Sequence, residues 1–148
     1  LAYGQHTPEY LFADDSGLEV DALGGAPGVL SARYAGEHAT DAANNALLLE
    51  RLQGIQQRSA RFVCVIALVR GDQLVKTFHG TVEGRILDGA RGAGGFGYDP
   101  LFYHEPFALT FGEATLDQKM RVSHRAQALE QMFTYLRGAE AKRHIAST

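Results

Sequence analysis

The 148-residue sequence holds one cysteine, Cys64, which excludes an internal disulfide and points to a reducing compartment, the cytoplasm. Excess charge of one sign is also lacking. Fourteen Lys and Arg stand against seventeen Asp and Glu, a formal net charge of −3, which disfavours a nucleic-acid domain resting on bulk electrostatics. The longest apolar run, Phe62 to Val69, falls far short of the ~20 residues of a membrane-spanning helix. Leu1 to Tyr10 carries neither the basic segment nor the apolar core of a signal peptide, and a first residue other than methionine reads as a trimmed or incomplete start. No H-E-x-x-H, no cysteine pair and no Walker loop occurs. His6, His38, His79, His104 and His144 show no metal-ligand spacing. Repeats, low-complexity tracts and linkers are likewise missing.

What remains is an average globular composition, 45% hydrophobic and 21% charged, at a length suited to one compact domain. A chain this long buries roughly 68–70% of its unfolded surface without staples. Leu11-Phe12-Ala13 reads as the end of a short buried strand that runs into a polar turn, Asp14-Asp15-Ser16-Gly17. Leu18 to Asp21 alternates as a second short strand, and Gly24 to Gly28 is a loop. Thr40 or Asp41 caps a helix with Ala46, Leu47, Leu49 and Leu52 on its apolar side and Gly54 as its stop. Arg61 to Arg70 predicts a central buried strand, and after a Gly71-Asp72 turn Leu74 to Leu87 pairs back antiparallel. Asp88 to Tyr98, with five glycines, predicts a long loop, and Pro100 to Phe111 an aromatic extended segment. Val122, Ala126, Leu129, Met132, Phe133 and Leu136 predict an amphipathic helix capped by Ser123 and ending at Gly138. The sum is an α/β domain with a mixed sheet.

Three places carry side chains suited to chemistry. At Asp14-Asp15-Ser16-Gly17 the carboxylates could serve a hard cation that binds phosphate, or Asp and Ser could bond their own backbone in a turn. In extended backbone the two aspartates point to opposite faces, so only one can aim at a given site. Gly92-Ala93-Gly94-Gly95-Phe96-Gly97 spells the dinucleotide fingerprint, but that motif needs a strand before it and a helix after it. Here Pro100 and an extended segment follow. The glycines can instead bring backbone close to a ligand while Phe96 offers a ring for stacking; the other reading packs Phe96 and Tyr98 under a surface loop. Lys119 with Ser123-His124-Arg125 forms a positive cluster at a helix start, either an anion site or a solvated basic patch. Cys64 in its strand reads as inert core.

Three ordered blocks bind these pieces together. They are Phe12 to Leu18 with Gly24 to Gly28 and Ser31 to Gly36; Gly94 to Phe102; and Ser123 to Leu129. From Phe12 to about Leu136 the chain resembles the inosine triphosphate pyrophosphatase family, the non-canonical purine nucleoside triphosphate pyrophosphatases. The resemblance implies an elongated α/β domain with a central mixed sheet flanked by helices. It implies hydrolysis of ITP, XTP and dITP to monophosphate and pyrophosphate with Mg²⁺, by a homodimer with no nucleic-acid or membrane partner. Carried over by residue, Asp15 would be the catalytic carboxylate and metal ligand, and Ser16 would touch the substrate. Phe96 would stack on the purine, with Gly97, Tyr98 and Asp99 beside it in the substrate-binding loop. Lys119 would contact the substrate, and His124 and Arg125 would read the base. The family's opening strand, its Thr-Gly-Asn-x-x-Lys phosphate loop and a metal-binding glutamate do not match anything in residues 1–148. The expectation is therefore a single, N-terminally incomplete domain, close to inactive by itself. The alternative is a catalytically impaired nucleotide-binding or structural module of the same fold.

Overall fold

The computed structural model describes the backbone of residues 10–147 and side chains through residue 139. His6, His144 and the N-terminal readings on residues 1–9 lie outside that description. A six-stranded sheet runs in the order β2-β1-β3-β4-β5-β6. Its strands are β1 (Tyr10–Val20), β2 (Pro27–Gly28), β3 (Ser59–Arg70), β4 (Gln73–Ile86), β5 (Phe102–His104) and β6 (Leu109–Thr110). Helix α1 spans Asp41–Arg51, α2 Leu116–Val122 and α3 His124–Ser147.

The α/β character is as expected, but every pairing among the described residues is antiparallel rather than mixed. The β3–β4 hairpin turns at Gly71-Asp72, and β1 lies antiparallel on the other side of β3, in register from Tyr10↔Arg70 to Val20↔Ala60. The chain from β1 to β3 goes round through β2 and α1 and re-enters from the end at which β1 finished, so no parallel crossover is required.

One expectation at β1 is overturned. Asp14-Asp15-Ser16-Gly17 is not a turn, and the two predicted short strands are one unbroken strand. Eleven successive rungs with β3 outweigh the local preference of Asp, Ser and Gly for a turn. Nor is its first half buried: Leu11 is 61% and Phe12 54% exposed.

Alternation decides the rest. Leu18, Val20, Ala60, Cys64, Ile66, Leu68, Phe78, Val82 and Ile86 share one sheet face and are buried. Leu48 of α1 and Leu52 at its C-cap join the half of this core around Leu18, while Ala128 and Met132 of α3 cover Cys64, Ile66 and Phe78. The other face stays half-exposed, with Val63, Val65, Ala67 and Val69 of β3 beside Ala13 and Asp15. So β3 is central in order, as predicted, yet buried on one side only.

Two helices differ from the predicted stripes. In α1 and its C-cap the buried row is Asn44, Leu48 and Leu52, not Leu47, and Ala46 is exposed. In α3 it is Ala128 and Met132, with Ala126 and Phe133 exposed. Helix α3 also runs through Gly138 to Ser147. A helical glycine costs only about 1 kcal/mol relative to alanine, and the strong helix formers that follow carry the helix on. The predicted caps hold: Thr40 Oγ1 accepts from the Ala43 N–H at 3.1 Å and Ser123 Oγ from the Ala126 N–H at 3.1 Å. Helix α2 was not predicted, although Thr115 and Gln118 form the capping box that begins it.

Candidate active site

Where β1 passes the first turns of α1 and α3, a cavity of about 390 Å³ opens, floored by Phe62 and Phe111. Gly80 lets α3 approach so closely: a Cβ there would collide with the His124 carbonyl. His124 therefore begins its helix pressed on the sheet, its ring stacked on Phe62 at 5.4 Å and 15°. Phe62 in turn stacks on Phe111 at 6.0 Å.

The glycine loop forms the opposite wall. As expected of a decoy fingerprint, no helix follows it; a short 3-10 turn at Asp99–Leu101 does. Gly95, at φ +73°, lies so close to the Asp99 carboxyl that a Cβ could not fit. Asp99 is buried, and its Oδ2 accepts from the Phe96 N–H at 3.1 Å and from Lys119 Nζ at 2.7 Å. The two aromatic side chains of the loop part company. Tyr98 is buried, its hydroxyl donating to the Ser31 carbonyl at 2.6 Å, while Phe96 is 76% exposed. Its ring lies with Lys119 Nζ 5.3 Å from the centroid, within cation–π range.

From the sheet side come Ser16 and Arg125. Arg125 Nε is 3.0 Å from Asp14 Oδ2, and its Nη2 reaches Ser16 Oγ at 3.5 Å. Lys119 and Arg125 each have a carboxylate partner, so the predicted positive cluster is a pair of anchored donors rather than a patch of unpaired cations. A guanidinium carries five N–H groups in a fixed fork, leaving donors beyond those held by Asp14.

Thus Ser16, Phe96, Gly97, Tyr98, Asp99, Lys119, His124 and Arg125 all line one cavity. Asp15 does not. Alternation turns it to the opposite sheet face, exposed, beside Glu19, Val63 and Val65. Asp14 takes the cavity side. Phe62, Ser31, Asp41 and Met120 also line the cavity and were not singled out from the sequence as site residues. Phe62 left one signal, as the lone aromatic in an otherwise aliphatic strand.

Burial holds the His124 pKa below its ordinary 6.5, helped by Arg125 and Lys119 and opposed by Asp99. The ring is therefore neutral at pH 7, with one nitrogen donating and one accepting. Because the folded value lies below the unfolded one, this group's contribution to stability is present above about pH 6.5 and is lost as pH falls through the folded value. Thermal midpoints measured from pH 7.5 to 5 should fall more steeply for the native protein than for His124→Gln. Parallel curves would remove His124 from that account.

Comparison with known proteins converges on one family. The Ham1 family matches residues 2–135. The chain belongs to the Ham1 family. Its resemblance to the inosine triphosphate pyrophosphatases is thereby borne out. It is 51% identical to the dITP/XTP pyrophosphatase of Desulforamulus reducens over 138 residues, 92% of this chain and 69% of that one. With the dITP/XTP pyrophosphatase of Syntrophobacter fumaroxidans it shares 56% identity over 117 residues, 79% of this chain and 50% of that one. The Staphylococcus aureus Ham1 protein superposes with a TM-score of 0.85 at 45% identity, over 93% of this chain and 72% of that one. The chain thus spans between half and about seven-tenths of the length of these Ham1 relatives.

Proposed function

We propose that the protein hydrolyses non-canonical purine nucleoside triphosphates, ITP, XTP and dITP, to the monophosphate and pyrophosphate with Mg²⁺. The observation that carries this reading is the cavity itself: an exposed ring, two carboxylate-anchored cationic donors and a neutral imidazole converge on one space of nucleotide size. The names of the two pyrophosphatase relatives support dITP and XTP among these substrates.

In this reading the purine stacks on Phe96, while Arg125, His124 and nearby N–H groups face its edge. A 6-oxo group accepts from such donors. A 6-amino group cannot, and the donors it leaves unpaired in a buried site are what discriminates against ATP. GTP adds an unmatched 2-amino donor. Ser16 extends the donor line along β1 towards the phosphates. β2 pairs with β1 only at Leu18 and Glu19, so beside Asp15 that edge of β1 carries no strand among the described residues. Phosphates that pass round this edge meet Asp15, which accepts the proton of a water that attacks the α-phosphorus. The bond from that phosphorus to the bridging oxygen breaks, and pyrophosphate leaves.

Asp15 can also give Mg²⁺ one hard oxygen. No group of three or more His, Cys, Asp or Glu side chains gathers among the described residues, so Asp15 would be a lone carboxylate ligand, with phosphate and water as the others. When bound, such an ion neutralises phosphate charge and acidifies a coordinated water. We place the protein in the cytoplasm as a homodimer without nucleic-acid or membrane partners. Buried Cys64, the near-balanced charge and the half-exposed apolar sheet face support this, and no described helix is long and apolar enough to cross a membrane.

Product analysis tests the function. ITP or XTP with Mg²⁺ should yield pyrophosphate, with ATP and GTP much poorer substrates; diphosphate plus orthophosphate would sink the assignment. Because Asp15 stands outside the cavity, a second reading is kept, a binding module without turnover. Tight ITP binding with no pyrophosphate release, in a protein of the relatives' full length, would favour it.

A further inference from the structure

Phe96 poses a physical problem. Its ring is 76% exposed, on a segment with five glycines between Asp88 and Tyr98, so little side-chain packing orders it. A stacking platform that must be ordered at each binding event loses affinity to that ordering. Here the order comes through the backbone. The Phe96 N–H is held by Asp99 (3.1 Å). The next N–H, of Gly97, donates to Asp41 Oδ2 at 2.9 Å, and the Gly97 carbonyl accepts from Asn45 Nδ2 at 3.1 Å. Three successive peptide groups around Phe96 and Gly97 are thus tied to side chains from different parts of the fold.

We propose that Asp41 and Asn45 of α1 are positioning residues that hold Phe96 as a preformed stacking platform; the purpose given to the platform rests on the nucleotide reading above. Both lie on one side of α1, four residues apart, so one helical turn grips both peptide groups of Gly97. An acidic residue in the first turn suits the α1 dipole, but Thr40 is the cap, and Asp41 Oδ2 is spent on the Gly97 N–H rather than on α1. Asn44, next in sequence, holds a different segment through the Ala35 N–H (2.8 Å) and the Ala32 carbonyl (3.1 Å). The Asn45 amide also shows its commitment to the loop. Its Oδ1 is buried with no hydrogen-bond partner among the described residues, yet reversing the amide would set oxygen against the Gly97 carbonyl. The orientation that leaves an acceptor unsatisfied is the one that keeps the clamp.

Two measurements on Asp41→Ala, Asn45→Ala and Asp41→Asn test this separately from the nucleotide reading. In the ligand-free protein, hydrogen exchange at the Phe96 and Gly97 amides should quicken about tenfold or more in Asp41→Ala, the scale of a lost bond to a charged acceptor, with α1 still protected. Asparagine at 41 keeps an acceptor and should restore most of the protection. Unchanged exchange in both alanine variants would overturn the clamp, whether or not the protein binds ITP. In ITP and XTP titrations the alanine variants should raise Kd or KM about tenfold and alike for both bases, with kcat changed far less. In a Phe96→Ala background the same substitutions should add under about twofold, because they act through the missing ring. Full additivity there would overturn the positioning role, whereas a native protein that binds no ITP would overturn the nucleotide reading alone. Should Asp41→Ala fail to fold, Asn45→Ala, which places a strong helix former inside α1, carries both measurements.

Discussion

Replacing Asp15 by asparagine is expected to lower pyrophosphate release from ITP by roughly 10²–10⁴-fold, the usual contribution of a general base, with nucleotide affinity nearly intact. The amide neither takes a proton from water nor holds Mg²⁺ well. Asp14 is the internal control. It lies one residue away on the other sheet face, 3.0 Å from Arg125 Nε, and its acceptor oxygen is engaged there. Asp14→Asn keeps an oxygen for that contact and should disturb base selectivity more than turnover. Single-turnover rates and equilibrium binding of ITP, measured on both variants, separate the two roles. If Asp15→Asn turns over normally and Asp14→Asn does not, the base is Asp14 and hydrolysis belongs on the cavity side of β1.

Phe96→Ala and Arg125→Ala should fail in different ways. Aromatic stacking contributes about 1–3 kcal/mol per base, so Phe96→Ala should weaken ITP, XTP and ATP alike, by roughly 5- to 150-fold. Arg125→Ala should instead weaken ITP more than ATP, eroding their ratio by about tenfold or more, because only the 6-oxo base used its donors. It also frees Asp14 from its ion pair, so Asp14→Ala is measured beside it to subtract the effect of the lost tether. Calorimetric titration of the nucleotides reads the ratio directly. An exchange of the two phenotypes would move the base elsewhere in the cavity.

The glycine loop shows how far linear reading reaches. Five glycines marked a loop, its aromatic pair left both a ligand role and packing under the surface open, and the lack of a following helix dismissed the dinucleotide fingerprint. The resemblance gives the stacking ring to Phe96, whereas residue type does not separate Phe96 from Tyr98, both aromatic and only two residues apart. The Ser31 carbonyl, far off in sequence, takes the Tyr98 hydroxyl and draws that ring inward. Helix α2 shows the reverse: its capping box, Thr115 and Gln118, is local and present in the sequence, but seven residues give no apolar periodicity to match that of α3.

Local chemistry, legible in the sequence alone, determined the antiparallel β3–β4 hairpin, the capped starts of α1 and α3, the non-Rossmann glycine loop and the family resemblance. These depend on residues within a few positions of one another, or on blocks whose order survives in one dimension. Tertiary structure alone decided that β1 is one strand rather than two. It also decided that Asp14 and not Asp15 lies on the cavity side of β1, and that Lys119 and Arg125 are paired. Each depends on a partner far along the chain: Ile66 and Val65 set the phase of β1, Asp99 holds Lys119 from 20 residues away, and Ser16 and Arg125 meet across 109. A strand's phase flips every side chain with a shift of one residue, so the face on which a carboxylate acts is a property of the pairing, not of the motif that contains it.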